Sequence, residues 1–168
     1  MMQLGANGTM PIRLGWRGAF FHFDITGGPF DVFRNITDED FGVCVRAERI
    51  HDLPFDLLLA IKDFDVPDQR PWHVSLTLKD TIAAALGGRD VYVGCMGGWG
   101  RTGLFLALLA KACGEDNPVA YVREHYTPHA VETQKQASYV AAFDVTEIRQ
   151  WLRRYTWALR LKRLFGIR

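Results

Sequence analysis

A glycine-rich segment joins a short apolar strand to a long apolar helix near the middle of the chain. The predicted strand covers residues 90–94, and the predicted helix begins near Arg101 and continues to Gly114. The residues that connect them are Cys95, Met96, Gly97, Gly98, Trp99 and Gly100. A strand that leads directly into a buried helix is a building unit of α/β proteins, so this segment assigns the chain to that fold class.

Signals on both sides of this segment extend the α/β interpretation. Strands are predicted at residues 19–25, 42–46 and 55–61, although the last of these segments is also compatible with a helical turn. Helices are predicted at residues 75–86, 118–125 and 133–165, the last with a break near Asp144. Residues 1–18 are predicted to be an irregular lead-in, and residues 149–168 a basic C-terminal helix. We therefore expect a single domain over residues 1–168 with a central mixed sheet flanked by helices.

The cysteine content argues against a disulfide framework. Cys44, Cys95 and Cys113 are odd in number and show no C-x-x-C spacing, which also argues against structural zinc. The five histidines show no ligand spacing, and we expect neither a metal nor a cofactor. The N-terminus lacks the pattern of a secretory signal, and the longest apolar run, residues 104–110, is too short to cross a bilayer. These features predict a soluble, cytoplasmic protein.

The loop between strand and helix has the chemistry of an anion cradle. Glycines at 97, 98 and 100 let consecutive backbone N–H groups point towards an anion, and the following helix directs its positive end to the same place. The planar guanidinium of Arg101 can hold two phosphate oxygens at once. Within this positive field Cys95 is expected to exist largely as a thiolate, a strong nucleophile. The alternative is that Cys95 only packs in the core.

The segment Cys95–Gly103 resembles the signature of the protein tyrosine phosphatase superfamily, C-x-x-G-x-x-R followed by Ser or Thr and Gly, and specifically its small dual-specificity-like members. The resemblance implies a phosphatase that forms a cysteinyl phosphate on Cys95, stabilised by Arg101. Phosphotyrosine is the expected substrate, with possible dual specificity. The implied substrate-binding residues are Met96, Gly97, Gly98, Trp99, Gly100 and Thr102. The Thr102 hydroxyl would also hydrogen-bond the cysteine sulfur as it leaves.

Two further segments carry the resemblance. In the family, a loop about thirty residues before the cysteine supplies an aspartic general acid, and Asp63 lies 32 positions before Cys95. Asp65 and Asp68 in the same loop are alternatives. The segment Ala130–Val140 resembles a family motif whose glutamine corresponds to Gln136, where a neutral amide would orient the hydrolytic water; Gln134 is the alternative.

One position departs from the family pattern. The family usually has His immediately before the cysteine, whereas this chain has Gly94. Activation of the thiol would then rest on the loop amides, the helix and Arg101. Two other functions stay open: a phosphatase acting on a phosphoinositide, a nucleotide or an RNA 5′-phosphate, and a catalytically weak phosphate-binding module. Trp99 either stacks on a substrate ring or packs against a neighbouring loop, and Cys44 is either an inert strand residue or a disulfide partner for Cys95.

The end of the chain is strongly basic. Residues 149–168 contain six Arg, one Lys and no acidic residue, whereas the whole chain has a net charge of only +1. Leu152, Tyr155 and Leu159 share one helical face, and Trp157, Leu161, Leu164 and Phe165 share another. Such a helix can bind an anionic membrane, nucleic acid or an acidic substrate. We favour the alternative, a helix that docks by its apolar side and leaves its arginines in water.

Overall fold

The structure is a computed structural model, and it describes residues 7–16, 19–48 and 53–165. The strands are β1 (Gly8–Trp16), β2 (Ala19–Pro29), β3 (Phe41–Cys44), β4 (Leu57–Leu58) and β5 (Val91–Cys95). The α-helices are α1 (Pro71–Leu86), α2 (Gly100–Cys113), α3 (Pro118–His125), α4 (Gln134–Ala142) and α5 (Thr146–Leu164). A short 3₁₀-helix, Phe30–Asn35, follows β2 directly.

The strands form one mixed sheet in the order β1-β2-β5-β3-β4. β1 is antiparallel to β2, and the remaining pairs are parallel. This arrangement confirms the predicted α/β class with a central mixed sheet. Because β2, β3, β4 and β5 run in the same direction, their carboxyl ends lie along one edge, which is where ligands bind in open α/β sheets.

The predicted irregular lead-in over residues 1–18 is wrong for residues 8–16, which form β1. Met10, Ile12 and Leu14 alternate along this strand and are all buried, so a period-two signal was present in the sequence. Pro11 interrupts that signal, but β1 is an edge strand, where a missing backbone N–H is tolerated. Residues 1–6, 17 and 18 of the predicted lead-in lie outside the described residues.

Other element boundaries differ from the predictions by a few residues. The strand predicted over residues 55–61 is reduced to Leu57–Leu58, while Leu59 and Ile61 are buried beyond its end. α1 begins at Pro71 instead of Ser75, because a proline at the first helical position needs no partner for its missing N–H. The predicted break near Asp144 is confirmed, since this residue lies between α4 and α5.

The two faces of the sheet are covered differently. The main core contains buried residues from every α-helix together with Val91, Val93 and Cys95 of β5. A second cluster on the opposite face contains Phe30 and Phe33 of the 3₁₀-helix with Cys44 and Tyr92. Because alternate strand residues point to opposite faces, Tyr92 and Gly94 face this second cluster.

Gly94 makes the packing of the second cluster possible. A Cβ atom at this position would lie 2.6 Å from Phe33 Cε2 and 3.0 Å from Tyr92 Cε1. The rings of Phe33 and Tyr92 meet edge to face with their centroids 5.1 Å apart. The space that a side chain before Cys95 would need is therefore filled by Phe33, which explains why this chain has glycine there.

We expect Gly94→Ala to destabilise the protein by about 1–3 kcal/mol, because the added methyl group would overlap the Phe33 ring. Adding Phe33→Leu should restore part of this loss, so that the two substitutions are not additive. Chemical denaturation of the single and double variants measures the coupling. Phe30→Leu is the matched control, since Phe30 belongs to the same cluster but is not among the atoms nearest to Gly94. If Phe30→Leu restored as much stability to Gly94→Ala as Phe33→Leu does, the conclusion that Phe33 fills the space beside Gly94 would be contradicted.

Candidate active site

A cavity of about 380 Å³ opens at the carboxyl edge of the sheet. It is lined by Asp63, Phe64, Cys95, Met96, Gly97, Trp99, Gly100, Arg101 and Glu132. These residues come from the loops that follow β4 and β5 and from the segment between α3 and α4. The cavity therefore lies where the parallel topology predicts a ligand site.

The loop after β5 is held from behind by backbone and side-chain contacts. Val45 N donates a hydrogen bond to Gly94 O at 2.9 Å, and the buried Tyr126 hydroxyl donates to Gly98 O. Gly98 has a φ of 76°, a conformation that favours glycine. No side chain caps the first turn of α2, and its first two residues, Gly100 and Arg101, line the cavity. This is the arrangement in which helix N-termini bind anions.

Gly100 permits a close approach between α2 and the segment before α4. A Cβ atom at Gly100 would lie 2.2 Å from Glu132 Oε2 and 3.2 Å from Gln136 Nε2. The sequence predicts this glycine as part of a phosphate cradle. The structure adds a second reason for it, because any side chain here would displace Glu132 from the cavity wall.

Arg101 is the most tightly held side chain of the cavity, with 3% of its side chain exposed. Its Nη1 lies 2.6 Å from each carboxylate oxygen of Glu48 and donates to Ile61 O at 3.2 Å. Its Nη2 lies 3.1 Å from Asp63 Oδ1. Burial by itself would lower the pKa of Arg101, but the hydrogen bond that Arg101 donates to Glu48 and the nearby negative charges raise it. The cavity thus contains a fixed positive charge.

Glu48 is the partner that orients this guanidinium. Burial would raise the pKa of Glu48, but its hydrogen bond and charge interaction with Arg101, together with Arg46, lower it overall. Glu48 is therefore ionised at neutral pH and remains so well into the acid range. The carboxylate fixes one edge of Arg101 and leaves Nη2 directed towards Asp63.

The three candidate acids lie in different surroundings. Asp63 lines the cavity with its side chain 55% exposed. Asp65 is held by Lys135 and accepts a hydrogen bond from Val66 N, and these contacts lower its pKa. Asp68 is exposed and lies 3.9 Å from Lys62. Of these three aspartates, Asp63 is the one found among the described residues that line the cavity.

Gln136 is fully buried and its amide is engaged on both sides. Its Oε1 accepts from Thr133 N at 3.3 Å as part of a capping box, and its Nε2 donates to Asp65 O at 3.2 Å. Gln136 therefore ties α4 to the loop that carries Asp63. Gln134 is exposed and donates to Ser138 Oγ at 3.5 Å. That Gln136 orients the hydrolytic water stays a prediction.

The remaining predicted residues are arranged around Cys95, which is 3% exposed. Met96 is 60% exposed and Trp99 packs on His129 with ring centroids 4.9 Å apart. The Thr102 hydroxyl is buried and has no hydrogen-bond partner among the described residues. Gly98 accepts the hydrogen bond from Tyr126 that supports the loop, whereas Gly97 lines the cavity.

Backbone strain is concentrated beside this cavity. Phe64 and Val131 have φ angles of 56° and 59°, which are unfavourable for residues other than glycine. Phe64 lines the cavity, and Val131 precedes Glu132, which also lines it. Arg123 holds the second segment by donating to the carbonyl oxygens of Ala130 and Val131, each at 3.0 Å. Strain that is maintained in this way is typical of functional sites.

Sequence reasoning did not single out Glu48, Phe64 or Glu132. Glu48 follows β3, which is parallel to β5 and adjacent to it, so sheet order would have indicated it. Phe64 stands next to the favoured acid, and Glu132 stands inside the segment quoted for Gln136. A contact between side chains from distant loops carries no local signal. The pairing of Glu48 with Arg101 was therefore not visible in the sequence, nor was the position of Phe64 and Glu132 in the cavity wall.

Cys44 is on the wrong face of the sheet to pair with Cys95. It lies beside Gly94 in the β3–β5 register and packs in the second cluster, whereas Cys95 packs in the main core. Burial raises the pKa of Cys44. These contacts favour the inert strand cysteine over the disulfide. Among the described residues, no group of histidine, cysteine or acidic side chains is arranged to hold a metal ion, and no helix is long and apolar enough to cross a membrane.

Solved structures with this architecture are protein tyrosine phosphatase-like enzymes. Tk-PTP in its active form superposes with a TM-score of 0.53 at 23% identity, covering 76% of this chain and 90% of that one. PTPMT1 in complex with PI(5)P superposes with a TM-score of 0.51 at 16% identity, covering 76% of this chain and 94% of that one. The chain has a protein tyrosine phosphatase-like fold. A glycine-to-alanine mutant form of Tk-PTP gives a TM-score of 0.51 at 17% identity, covering 90% of this chain and 99% of that one.

Sequence comparison finds relatives in Methanocaldococcus jannaschii. The uncharacterized protein MJECL20 is 38% identical over 96 residues, which are 52% of this chain and 58% of that protein. The uncharacterized protein MJ0215 is 47% identical over 55 residues, 33% of this chain and 35% of that protein. The chain thus spans less than two thirds of either relative. No protein-family model matches the chain.

The geometry predicts that Cys95 is alkylated before the other two cysteines. It lines the cavity, whereas burial raises the pKa of Cys44 and raises that of Cys113 to about 12. Limited reaction with iodoacetate near pH 7, followed by peptide mass spectrometry, should place the label on Cys95. Inorganic phosphate should slow the reaction, and Arg101→Lys should remove that protection because a lysine lacks the planar fork. Faster labelling of Cys113 would contradict this arrangement.

Proposed function

We propose that this chain is a cysteine-dependent phosphatase that hydrolyses aryl phosphate monoesters, with phosphotyrosine as the substrate class. One observation carries the proposal: a cysteine, an arginine and an aspartate line one cavity at the N-terminus of α2. A sulfur nucleophile, a bidentate anion ligand and a carboxyl group are the three components that this reaction needs. The protein tyrosine phosphatase-like fold supports the same reaction class.

Binding begins with an exchange of partners on Arg101. In the structure its Nη2 contacts Asp63, while Nη1 is held by Glu48. The substrate phosphate takes Nη2 and the N–H groups of the loop and of the first turn of α2. Asp63 is thereby released towards the ester oxygen, while Glu48 keeps the guanidinium in place.

The reaction then proceeds in two steps. Cys95 Sγ attacks phosphorus, the bond from phosphorus to the ester oxygen breaks, and protonated Asp63 gives its proton to the departing oxygen. Water next attacks the cysteinyl phosphate, Asp63 takes one of its protons, and the phosphorus–sulfur bond breaks to regenerate the thiolate and release inorganic phosphate. We assign to the buried Thr102 hydroxyl, which has no hydrogen-bond partner among the described residues, the role of donating to the departing sulfur. Arg101 and the amides stabilise the equatorial oxygens throughout.

The rim of the cavity supports an aryl substrate. Phe64 is 58% exposed and Met96 60% exposed, and Trp99 completes the apolar part of the lining. A phenyl ring can cover these side chains, whereas the short side chains of phosphoserine and phosphothreonine would leave them in water. We therefore expect phosphoserine and phosphothreonine substrates to bind less tightly than phosphotyrosine substrates.

Charge around the cavity supports a substrate with a single phosphate. Among its described lining residues Arg101 is the cation, and Asp63 and Glu132 are acidic. PTPMT1 has been crystallised in complex with PI(5)P, a lipid that carries a second phosphate. A phosphoinositide, a nucleoside polyphosphate or an RNA 5′-phosphate would place additional negative charge near these two carboxylates, which raises the free energy of binding.

Asp63→Asn tests the mechanism through the leaving group. Turnover of phenyl phosphate should fall by about 10²–10³-fold, because phenoxide then departs without a proton. Turnover of 4-nitrophenyl phosphate should fall much less, since nitrophenolate is a stable anion. The slope of log kcat against leaving-group pKa, measured over a series of aryl phosphates, should therefore become steeper in the variant.

Asp65→Asn and Asp68→Asn are matched controls for this experiment, and their slopes should equal that of the wild type. Cys95→Ser should abolish turnover while inorganic phosphate still binds. A wild type that binds phosphate but turns over none of the aryl phosphates would establish a phosphate-binding module and refute the proposal.

Phe64→Ala tests the substrate class. The KM for a phosphotyrosine peptide should rise by about tenfold, because the ring loses an apolar contact, whereas the KM for a phosphoserine peptide should change little. Wild-type kcat/KM is measured in parallel on phosphatidylinositol phosphates, nucleoside monophosphates and a 5′-phosphorylated RNA. A higher kcat/KM for any of these three than for phosphotyrosine would refute the aryl assignment and leave the cysteine chemistry intact.

A further inference from the structure

The two halves of α5 have different surroundings. The first half docks on the main core through Ile148, Leu152 and Thr156, which are at most 4% exposed. This is the docked helix that the sequence favours. After Thr156, none of the described residues up to Phe165 is buried. In the last two turns the partly buried Leu159 still packs against the core, while the opposite side of the helix is exposed.

The part of α5 after Thr156 has an apolar outer face. Trp157 is 64% exposed, Leu164 70% and Phe165 73%. Trp157, Leu161 and Leu164 follow one another at helical spacing and share a face. Trp157 lies roughly 140° around the helix axis from Leu152, so this face points away from the core. Large apolar side chains on the solvent side of a helix indicate a binding surface.

The same turns are rich in positive charge. Arg160, Lys162 and Arg163 are exposed beyond Thr156, and Arg153 and Arg154 are exposed in the half of α5 before it. Residues 149–168 contain no acidic residue, and the last acidic residue of the helix is Glu147. The rest of the chain has 13 basic and 19 acidic residues, so positive charge is concentrated at this end. The surface is therefore complementary to an anionic partner.

The end of the β1–β2 hairpin lies next to this part of the helix. The guanidinium of Arg163 stands over the Phe21 ring, 5.4 Å from its centroid. The neighbouring Phe20 is 83% exposed. Because alternate strand residues point to opposite faces, Phe20 lies on the other face of the sheet from Phe21 and α5, and it is not part of this surface.

This surface lies far from the cavity. β2 is parallel to β5, and Pro29 pairs with Cys95 at the carboxyl edge. Phe21 lies eight residues earlier on β2, which at ~3.3 Å per residue is about 26 Å along the strand. A partner bound at the end of α5 therefore does not present its own phosphate groups to Cys95.

We propose that the outer face of α5 beyond Thr156 binds the surface of an anionic lipid bilayer and holds the cavity facing away from it. A helix with Trp, Leu and Phe on one face and flanking Arg and Lys is the pattern of helices that lie in the membrane interface. Leu161 and Leu164 would gain nothing from a nucleic-acid backbone, which favours a bilayer over RNA or DNA. Two copies of this surface would repel each other through their like charges. The inference does not depend on the proposed function.

Vesicle sedimentation tests the proposal on the full chain. The protein should bind vesicles of phosphatidylcholine with phosphatidylserine, and binding should weaken as salt is raised. Vesicles of phosphatidylcholine alone should bind at least about tenfold less protein, because they lack the anionic charge. Iodoacetate labelling of Cys95 should be unchanged by the vesicles, since the cavity faces the solvent.

Trp157→Glu should reduce partitioning to the anionic vesicles by at least about tenfold, because it replaces an inserted ring by a charge. Trp72→Glu is the matched control, since Trp72 is 62% exposed on α1, and it should bind like the wild type. Arg160→Glu should also weaken binding, and Arg34→Glu, at an exposed arginine of the 3₁₀-helix, should not. Circular dichroism melting of each variant verifies folding.

Three results would overturn the proposal. The first is wild-type protein that stays in the supernatant with anionic vesicles. The second is equal binding by Trp157→Glu and Trp72→Glu. The third is tighter binding to a single-stranded or duplex oligonucleotide than to vesicles, or a dimer in solution that protects Trp157 from quenching, since either result identifies a different occupant of this surface.

Discussion

The position of one buried guanidinium determines the arrangement of the whole cavity. Arg101 sits at the start of α2, where burial would remove its charge from water at a large free-energy cost without partners. Glu48 from the loop after β3, Asp63 from the loop after β4 and the carbonyl of Ile61 supply those partners. Because these groups come from neighbouring parallel strands, the sheet order itself brings the loops together. The fold and the candidate site are thus joined through a single side chain.

The surroundings of this guanidinium combine close backbone approach with local strain. Gly100 lets α2 reach Glu132, and Gly94 lets Phe33 cover the back of β5. Phe64 and Val131 hold unfavourable backbone angles in the two segments that face each other across the cavity. Gln136 links one of these segments to the loop that carries Asp63 through its hydrogen bond to Asp65 O. Removing any of these contacts would act first on the walls of the cavity and only indirectly on Cys95.

The glycine before the cysteine illustrates how packing changes the meaning of a residue. From the sequence, Gly94 is a missing histidine and a reason to doubt activation of the thiol. In the structure its site is occupied by the ring of Phe33, and its carbonyl accepts a hydrogen bond from Val45. The loop is therefore supported from behind by aromatic packing and by Tyr126 on Gly98. Support of the loop and activation of the sulfur are separable properties, and the structure provides the first without histidine.

The sequence by itself determined the local elements and the chemical groups of the cavity. The order strand, glycine-rich loop and apolar helix fixed the α/β class and the position of Cys95 and Arg101, because these signals lie within a few consecutive residues. The sequence also indicated Asp63, although it left Asp65 and Asp68 open. Only the tertiary structure showed that Asp63 lines the cavity, while Lys135 pairs with Asp65 and Asp68 lies beside Lys62. The role of Asp63 as the acid stays a prediction. The same limit hid the pairing of Glu48 with Arg101 and the distance from α5 to the cavity, because contacts between distant segments depend on how the chain folds back, which no local pattern records.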